Sequence, residues 1–181
     1  MKRAFAVVRG VFAAACACVR DAGAAPVALD SQPMPQVDLS RYMGRWHEAA
    51  RYPNRFERGC RNAIADYSLR PDGAVAVLNS CERGAPPRTT SACGKAWSVH
   101  PTNSRLKVRF FWPFTGDYWI VALDPEYRWV MVGSPRKDYF WILSRSPKLA
   151  PELQARLFEE ARRLGYDPAR FDRDASAPSC R

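Results

Sequence analysis

Histidine is scarce in this sequence, which holds only His47 and His100 among 181 residues. No Cys-x-x-Cys pair occurs beyond residue 24, so a tetrahedral zinc site would lack ligands at the usual spacing. The Gly-x-Ser-x-Gly motif, which carries the nucleophilic serine of α/β-hydrolases, is absent as well. We therefore expect no metal, no cofactor and no catalytic residue.

Long apolar runs are also missing. The longest stretch near the start, residues 10–19, is about half as long as a membrane helix requires. It follows the basic residues Lys2 and Arg3 and precedes the small residues Ala22-Gly23-Ala24, which predicts a signal peptide over residues 1–24. A weak lipobox before Cys16 leaves a lipidated Cys16 as the alternative. Either way the chain is expected to be exported, with a proline-punctuated linker at 25–36 and one domain at 37–181.

Acidic residues are outnumbered, since 18 Asp and Glu stand against 28 Lys and Arg. The formal net charge of +10 includes +3 from residues 1–24 (Lys2, Arg3, Arg9 and Arg20 against Asp21), which leaves +7. Because the basic residues are distributed along the chain, we expect no nucleic-acid partner. A basic barrel that binds polyanions is kept as an alternative, and a membrane surface and self-pairing are left open as partners.

Hydrophobic residues are plentiful at 47%, and aromatic residues make up 12%, which is typical of a globular chain. Turn residues such as Pro71-Asp72-Gly73 separate short strand-like runs at nearly regular spacing. This succession predicts an antiparallel meander whose eight strands can close into a barrel. The predicted strands cover 46–56, 63–69, 74–80, 93–99, 105–112, 117–124, 128–133 and 138–145.

One helix is predicted, from Pro151 to the residue before Gly165. Its apolar stripe at helical spacing consists of Leu153, Leu157, Ala161 and Leu164. The run at 117–124 is apolar on both faces, so we expect this helix to cover the outer side of the barrel.

Four cysteines remain after residue 24: Cys60, Cys81, Cys93 and Cys180. An even number in an exported chain predicts disulfides, and the residues alone allow three pairings.

Three motifs then point to a known family. Gly44-x-Trp46, Asp124-Pro125-Glu126-Tyr127 and Arg145 resemble, in order and spacing, the three signature regions of lipocalins. The fuller match, over about residues 37–172, looks like the bacterial lipocalins and apolipoprotein D. The resemblance implies an all-β, eight-stranded up-and-down barrel, a calyx, with one C-terminal helix packed outside.

The resemblance also implies roles for the signature residues. Trp46 would close one end of the barrel, and Arg145 would stack on its indole and donate to nearby carbonyls. Gly44 would allow close approach of the backbone there, while Asp124 and Tyr127 belong to the second signature turn. His47 follows the signature Trp, and its role is left open.

A ligand set follows from the resemblance and from strand alternation. Tyr67 and Trp119 are placed inward, which brings Ala65, Leu69, Val121 and Leu123 with them. Phe110 and Trp112, then Trp97 and Trp141, complete the predicted lining. Arg55, in a loop at the mouth, is either the partner of a carboxylate or phosphate head group or a solvated surface charge.

The resemblance to apolipoprotein D also implies a Cys60–Cys180 bridge, with Cys81–Cys93 as the second pair. We thus expect an exported lipocalin of the periplasm or outer membrane that binds fatty acids, lysophospholipids or similar amphiphiles. An enzyme that uses a free cysteine on the same fold is a further alternative.

Overall fold

The computed structural model describes residues 35–172, and its strands form one closed barrel. Each strand pairs antiparallel with the next, and the last returns to the first, so the predicted eight-stranded barrel is confirmed. The strands are β1 (Gly44–Arg51), β2 (Arg61–Leu69), β3 (Val75–Arg83), β4 (Arg88–Ser98), β5 (Arg105–Phe111), β6 (Phe114–Leu123), β7 (Trp129–Gly133) and β8 (Phe140–Ser144).

The first strand ends at Arg51, earlier than its predicted end at Phe56. Pro53 accounts for the difference, because proline has no N–H for the ladder and restricts the residue before it. The long β1–β2 loop follows.

Among residues 35–172, three helical segments accompany the barrel. The α1 helix (Leu39–Tyr42) begins at the N-cap Asp38, whose carboxylate accepts from two backbone N–H groups. The α2 helix (Pro151–Arg163) matches the predicted helix, and a 3₁₀ turn (Pro168–Arg170) follows it. Within residues 35–172, no helix is both long and apolar enough to cross a bilayer.

The buried residues form two main layers. An inner cluster fills the floor and walls of the barrel around Trp46, and an outer cluster lies between the barrel wall and α2. Leu157 and Ala161 of α2 and its C-cap Leu164 belong to the outer cluster, as their stripe predicted. The strand β6 serves both layers, since Ile120 belongs to the inner cluster and Trp119 to the outer one.

The up-and-down topology defines two ends. The β2–β3, β4–β5 and β6–β7 turns lie at the same end as Gly44, where β1 begins. The β1–β2, β3–β4, β5–β6 and β7–β8 connections lie at the other end. We call these the closed end and the open end.

The disulfide connectivity differs from the predicted one. Cys60 is bonded to Cys81, which ties the start of β2 to the end of β3 near the open end. The predicted Cys60–Cys180 and Cys81–Cys93 bridges are therefore wrong. Cys180 lies outside the described residues, as do Cys16 and the predicted cleavage site.

The register of β3 and β4 explains why Cys81 and Cys93 do not pair. Cys81 lies opposite Thr90, whereas Cys93 lies opposite Leu78, three residues away along β3. An odd separation puts the two sulfur atoms on opposite faces of the sheet. Cys93 is left as an exposed free thiol.

Candidate functional site: the barrel lumen

Trp46 seals the closed end of the barrel. Its side chain is fully buried, and its indole N–H donates to the Tyr42 carbonyl at 2.9 Å. The Arg145 guanidinium lies 3.7 Å from the indole centroid, an arrangement that combines a cation–π contact with hydrogen bonding. That guanidinium donates, at 2.7–3.3 Å, to the carbonyls of Arg41, Tyr42, Met43, Arg45 and Tyr127.

Gly44 makes this stacking sterically possible. Its φ of +91° lies in the region that favours glycine, and a Cβ there would come within 3.4 Å of an Arg145 nitrogen. The second signature turn braces the same end. The Tyr127 hydroxyl accepts from the Asp38 N–H at 2.8 Å, and the Asp124 carboxylate accepts from Arg128 at 2.7 Å. The hydrogen bond from Arg128 holds the Asp124 pKa below its usual range.

One wall of the lumen is lined by small side chains. Ala65 belongs to the inner cluster, and the register carries the same face from Ala65 through Asn79 to Ala92. Gly94 continues that face on β4. Paired residues share a face, and Ala92 is exposed on this one, so the wall is accessible from the open end.

A chain of three tyrosine hydroxyls crosses the lumen. The Tyr118 hydroxyl lies 2.7 Å from that of Tyr42 and 3.2 Å from that of Tyr67. Burial raises the pKa of all three phenols, so they stay neutral and keep their protons at physiological pH. The lumen thus contains hydrogen-bond donors and acceptors without a formal charge at this depth.

Charged side chains lie nearer the open end. Glu48, two residues after Trp46, pairs with the buried Arg51, and a bulge in β1 turns Arg51 to the face of Trp141. Glu57, from the β1–β2 loop, accepts from the Trp141 indole N–H at 3.0 Å. Burial, and then the nearby Glu57 charge, raises the Glu48 pKa well above its usual value. We call Glu48, Arg51 and Glu57 the mouth cluster.

Three predicted lining residues lie in the lumen. Tyr67 belongs to the inner cluster, and Phe110 and Trp141 pack against it. Phe110 covers Gly94, where a Cβ would approach its ring to 2.9 Å. Arg55 is exposed in the β1–β2 loop at the open end, with its guanidinium 4.8 Å from the Phe56 ring.

The predicted inward orientation of Trp119 and Val121 is wrong. Trp119 lies opposite Gly133, and a Cβ on Gly133 would collide with the Tyr166 side chain that follows α2. Trp119 therefore faces the outer cluster, as does Val121. The run at 117–124 is apolar on both faces, and a bulge after Ile120 shifts its alternation, so the sequence pattern could not assign the faces.

Two further tryptophans were predicted to line the lumen, and both lie outside it. Trp97 is the neighbour of the inward-facing Ala96, and it borders a surface depression together with Arg109. Trp112 is exposed at the β5–β6 turn. Among the residues that alternation placed beside Tyr67 and Trp119, Leu123 packs against the inner cluster, whereas Leu69 is exposed at its strand end.

Sequence reasoning did not identify the mouth cluster or Tyr42. Glu48 could have been identified, because it lies two residues after Trp46 and therefore points to the same face of the strand. Glu57 and Tyr42 lie in a loop and a short helix, where alternation gives no information. His47 points away from the lumen, and partial burial followed by the Arg45 charge lowers its pKa.

The sealed floor, the open mouth and the unbranched meander define an up-and-down β-barrel of the lipocalin type. The sequence matches the family model described as a lipocalin-like domain over residues 37–176. It is 43% identical over 135 residues to the outer membrane lipoprotein Blc of Escherichia coli K12, covering 74% of this chain and 76% of that protein. It is also 37% identical over 123 residues to apolipoprotein D of Macaca fascicularis, covering 64% of each chain.

A comparison of structures agrees on the fold. Insecticyanin from Manduca sexta superposes with a TM-score of 0.63 at 20% identity, covering 82% of this chain and 88% of that one. The chain belongs to the lipocalin family.

Proposed function

We propose that the lumen binds one amphiphile with a long apolar chain, such as a fatty acid or a lysophospholipid. The observation that supports this best is the small-residue wall of β2–β4 facing the aromatic side chains of Tyr118 and Trp141. A filled core would place large side chains on both walls. Here the buried Trp46 seals one end of the lumen, and charged side chains lie toward the other end.

The apolar chain would lie deep in the barrel. Val77 and Val132 belong to the inner cluster and Val108 packs against it, so they supply apolar surface to the lumen. Burying apolar surface there contributes about 25 cal/mol for each Å² removed from water.

The head group would lie at the mouth cluster, below the exposed Arg55. The phosphate of a lysophospholipid or the carboxylate of a fatty acid is the proposed partner of Arg55. Glu48 is already paired with Arg51, and Glu57 accepts from the Trp141 indole N–H, which leaves Arg55 as the exposed cation of this loop for a head group.

The proposal involves no catalysis. The free thiol of Cys93 shares a strand face with Leu78, the face opposite to Asn79 and the lumen. A cysteine in that position would not meet a ligand inside the barrel. We further propose that the chain is exported and works in the bacterial envelope, storing or transporting lipid. The predicted signal peptide and the similarity to an outer membrane lipoprotein support this.

The test fills the lumen without disturbing the core. Ala92 faces the lumen and is exposed, so Ala92→Trp should occupy the space of the ligand. Ser91 is its neighbour on the outer face and is also exposed, which makes Ser91→Trp the matched control. Each delipidated protein is titrated with oleic acid and with lysophosphatidylcholine in an isothermal calorimeter.

We expect about one ligand per chain for the wild type and for Ser91→Trp, and at least about a tenfold loss of affinity for Ala92→Trp. Equal affinity of all three proteins for both lipids would contradict binding in the lumen. Thermal unfolding of each variant checks that the barrel remains folded.

A further inference from the structure

The most exposed apolar side chains of the described region lie in a single turn at the open end. Phe111, Trp112 and Phe114 of the β5–β6 turn are 69%, 82% and 76% exposed. Isolated exposed apolar residues are common on protein surfaces, but three large aromatic residues in one four-residue turn are not. Nothing in the described chain covers them.

The patch continues across the outer wall. Phe111 lies opposite Phe114, and Leu78, which is 40% exposed, lies opposite Cys93. Extending the β4–β5 register by two residues from Lys95 and Arg109 brings Cys93 beside Phe111. These side chains point outward because Phe110, the neighbour of Phe111, faces the lumen. We call Leu78, Cys93, Phe111, Trp112 and Phe114 the aromatic patch.

The surroundings of the patch are basic. From residue 83 to residue 116 the sequence contains no Asp or Glu, while Arg83, Arg88, Lys95, Arg105, Lys107 and Arg109 all fall within it. Lys95 and Arg109 form a cross-strand pair on the outer face, two residues below Cys93 and Phe111. Asp72 and Asp117, from outside this stretch, pair with Lys95 and Lys107. Arg105 begins β5 at the closed end, so Arg83, Arg88 and Arg109 supply the positive charge nearest the aromatic patch.

We propose that the open end docks on an anionic lipid bilayer, with the aromatic patch inserted at head-group depth. Trp and Phe favour the interface between lipid and water, and Lys and Arg beside them attract acidic lipids. A second copy of the chain is the less suitable occupant, because it would bring the same basic surface against this one. Docking itself does not depend on the proposed lumen function, although it would place the mouth where lipids enter and leave.

The experiment measures partition onto vesicles, using the full chain with Cys16→Ser in every variant so that no lipid anchor contributes. One set of vesicles contains phosphatidylcholine alone, and the other contains phosphatidylcholine mixed with phosphatidylglycerol. The test variant is Trp112→Ala with Phe114→Ala. Val99→Ser is the matched control, since Val99 is 52% exposed beyond the end of β4 at the closed end.

We expect the reference protein and Val99→Ser to bind the anionic vesicles, and the double variant to lose about tenfold or more in partition. Binding should weaken with added salt and with Arg88→Gln combined with Arg109→Gln. On binding, the emission of Trp112 should shift to shorter wavelength and become protected from acrylamide, and these changes should be absent in Trp112→Phe.

Equal partition of the double variant and the reference protein would overturn the proposal. A failure of the reference protein to bind anionic vesicles would also overturn it. In that case, a dimer that the double variant abolishes would indicate a second copy of the chain as the occupant. Retention on heparin that is equal in the reference protein and the double variant would indicate a general affinity for polyanions. Ala92→Trp separates the two proposals, because it should partition onto vesicles like the reference protein but lose affinity for lipid in the calorimeter. The double variant should keep its affinity in the calorimeter and lose partition onto vesicles.

Discussion

The two ends of this barrel differ in burial and in hydrogen bonding. At the closed end, Trp46 is fully buried and a single arginine, Arg145, donates to five backbone carbonyls. At the open end, aromatic residues face solvent, small residues line the wall, and two glutamates lie close together. The comparison shows where stability is concentrated and where the chain leaves room for a ligand.

The largest effect should come from removing the floor. Trp46→Ala deletes a fully buried indole, and large-to-small changes of this kind cost about 3–5 kcal/mol. Trp112→Ala is the matched control at the open end and should change the free energy of unfolding little, because that indole is exposed. Urea unfolding measures both. A similar loss in the two variants would remove the contrast between the ends.

A smaller loss is expected from Arg145→Lys. An ammonium keeps the charge but cannot stack on Trp46 and reach several carbonyls at once, so buried acceptors lose their partner. Such losses cost about 2–3 kcal/mol in total. Arg136→Lys, at the exposed β7–β8 turn, supplies the control and should unfold like the wild type. An unchanged melting temperature for Arg145→Lys would show that charge alone holds the floor.

The smallest effects should appear as pH dependences of opposite sign. The pKa of Asp124 is lowered, so its contribution is present at neutral pH and is lost as the pH falls below about 3.9. The pKa of Glu48 is raised, so its contribution is greatest below about pH 4.3 and declines as the pH rises through the folded value.

Stability curves of Asp124→Asn and Glu48→Gln against pH test this pair of signs. The advantage of the wild type over Asp124→Asn should shrink in acid. Relative to the wild type, Glu48→Gln should gain stability as the pH rises from acid toward neutral. The same sign for both buried carboxylates would contradict the electrostatic difference between the ends.

The sequence was most informative about elements with strong local signals. Turn residues separated the strands, Pro151 and Gly165 bounded the helix, and the signature motifs located Trp46 and Arg145. Trp46 and Arg145 stack on each other at the closed end, as the motifs predicted. The barrel and the helix could therefore be predicted, whereas the short α1 helix, the end of β1 and the β3–β4 hairpin, where β3 runs to Arg83 and β4 begins at Arg88, could not.

The lining of the lumen was harder to predict. In β6, residues on both faces are apolar, so the sequence does not show whether Trp119 or Ile120 faces the lumen. The packing of α2 against the outer wall decides it, because Trp119 belongs to the cluster that contains α2 and Ile120 to the inner one. The disulfide also depends on register, which puts Cys81 and Cys93 on opposite faces. Glu57 enters the mouth cluster from a loop, and no periodicity in the sequence marks it.

The most direct test of the account asks which tryptophan senses the lipid. Trp141 lies in the lumen and donates to Glu57, whereas Trp119 faces the outer cluster beneath α2. Intrinsic fluorescence of the delipidated wild type, Trp141→Phe and Trp119→Phe is therefore followed during titration with lysophosphatidylcholine. We expect saturable quenching in the wild type and in Trp119→Phe, and loss of most of it in Trp141→Phe. Quenching that disappears in Trp119→Phe and persists in Trp141→Phe would place the lipid outside the lumen and contradict the account.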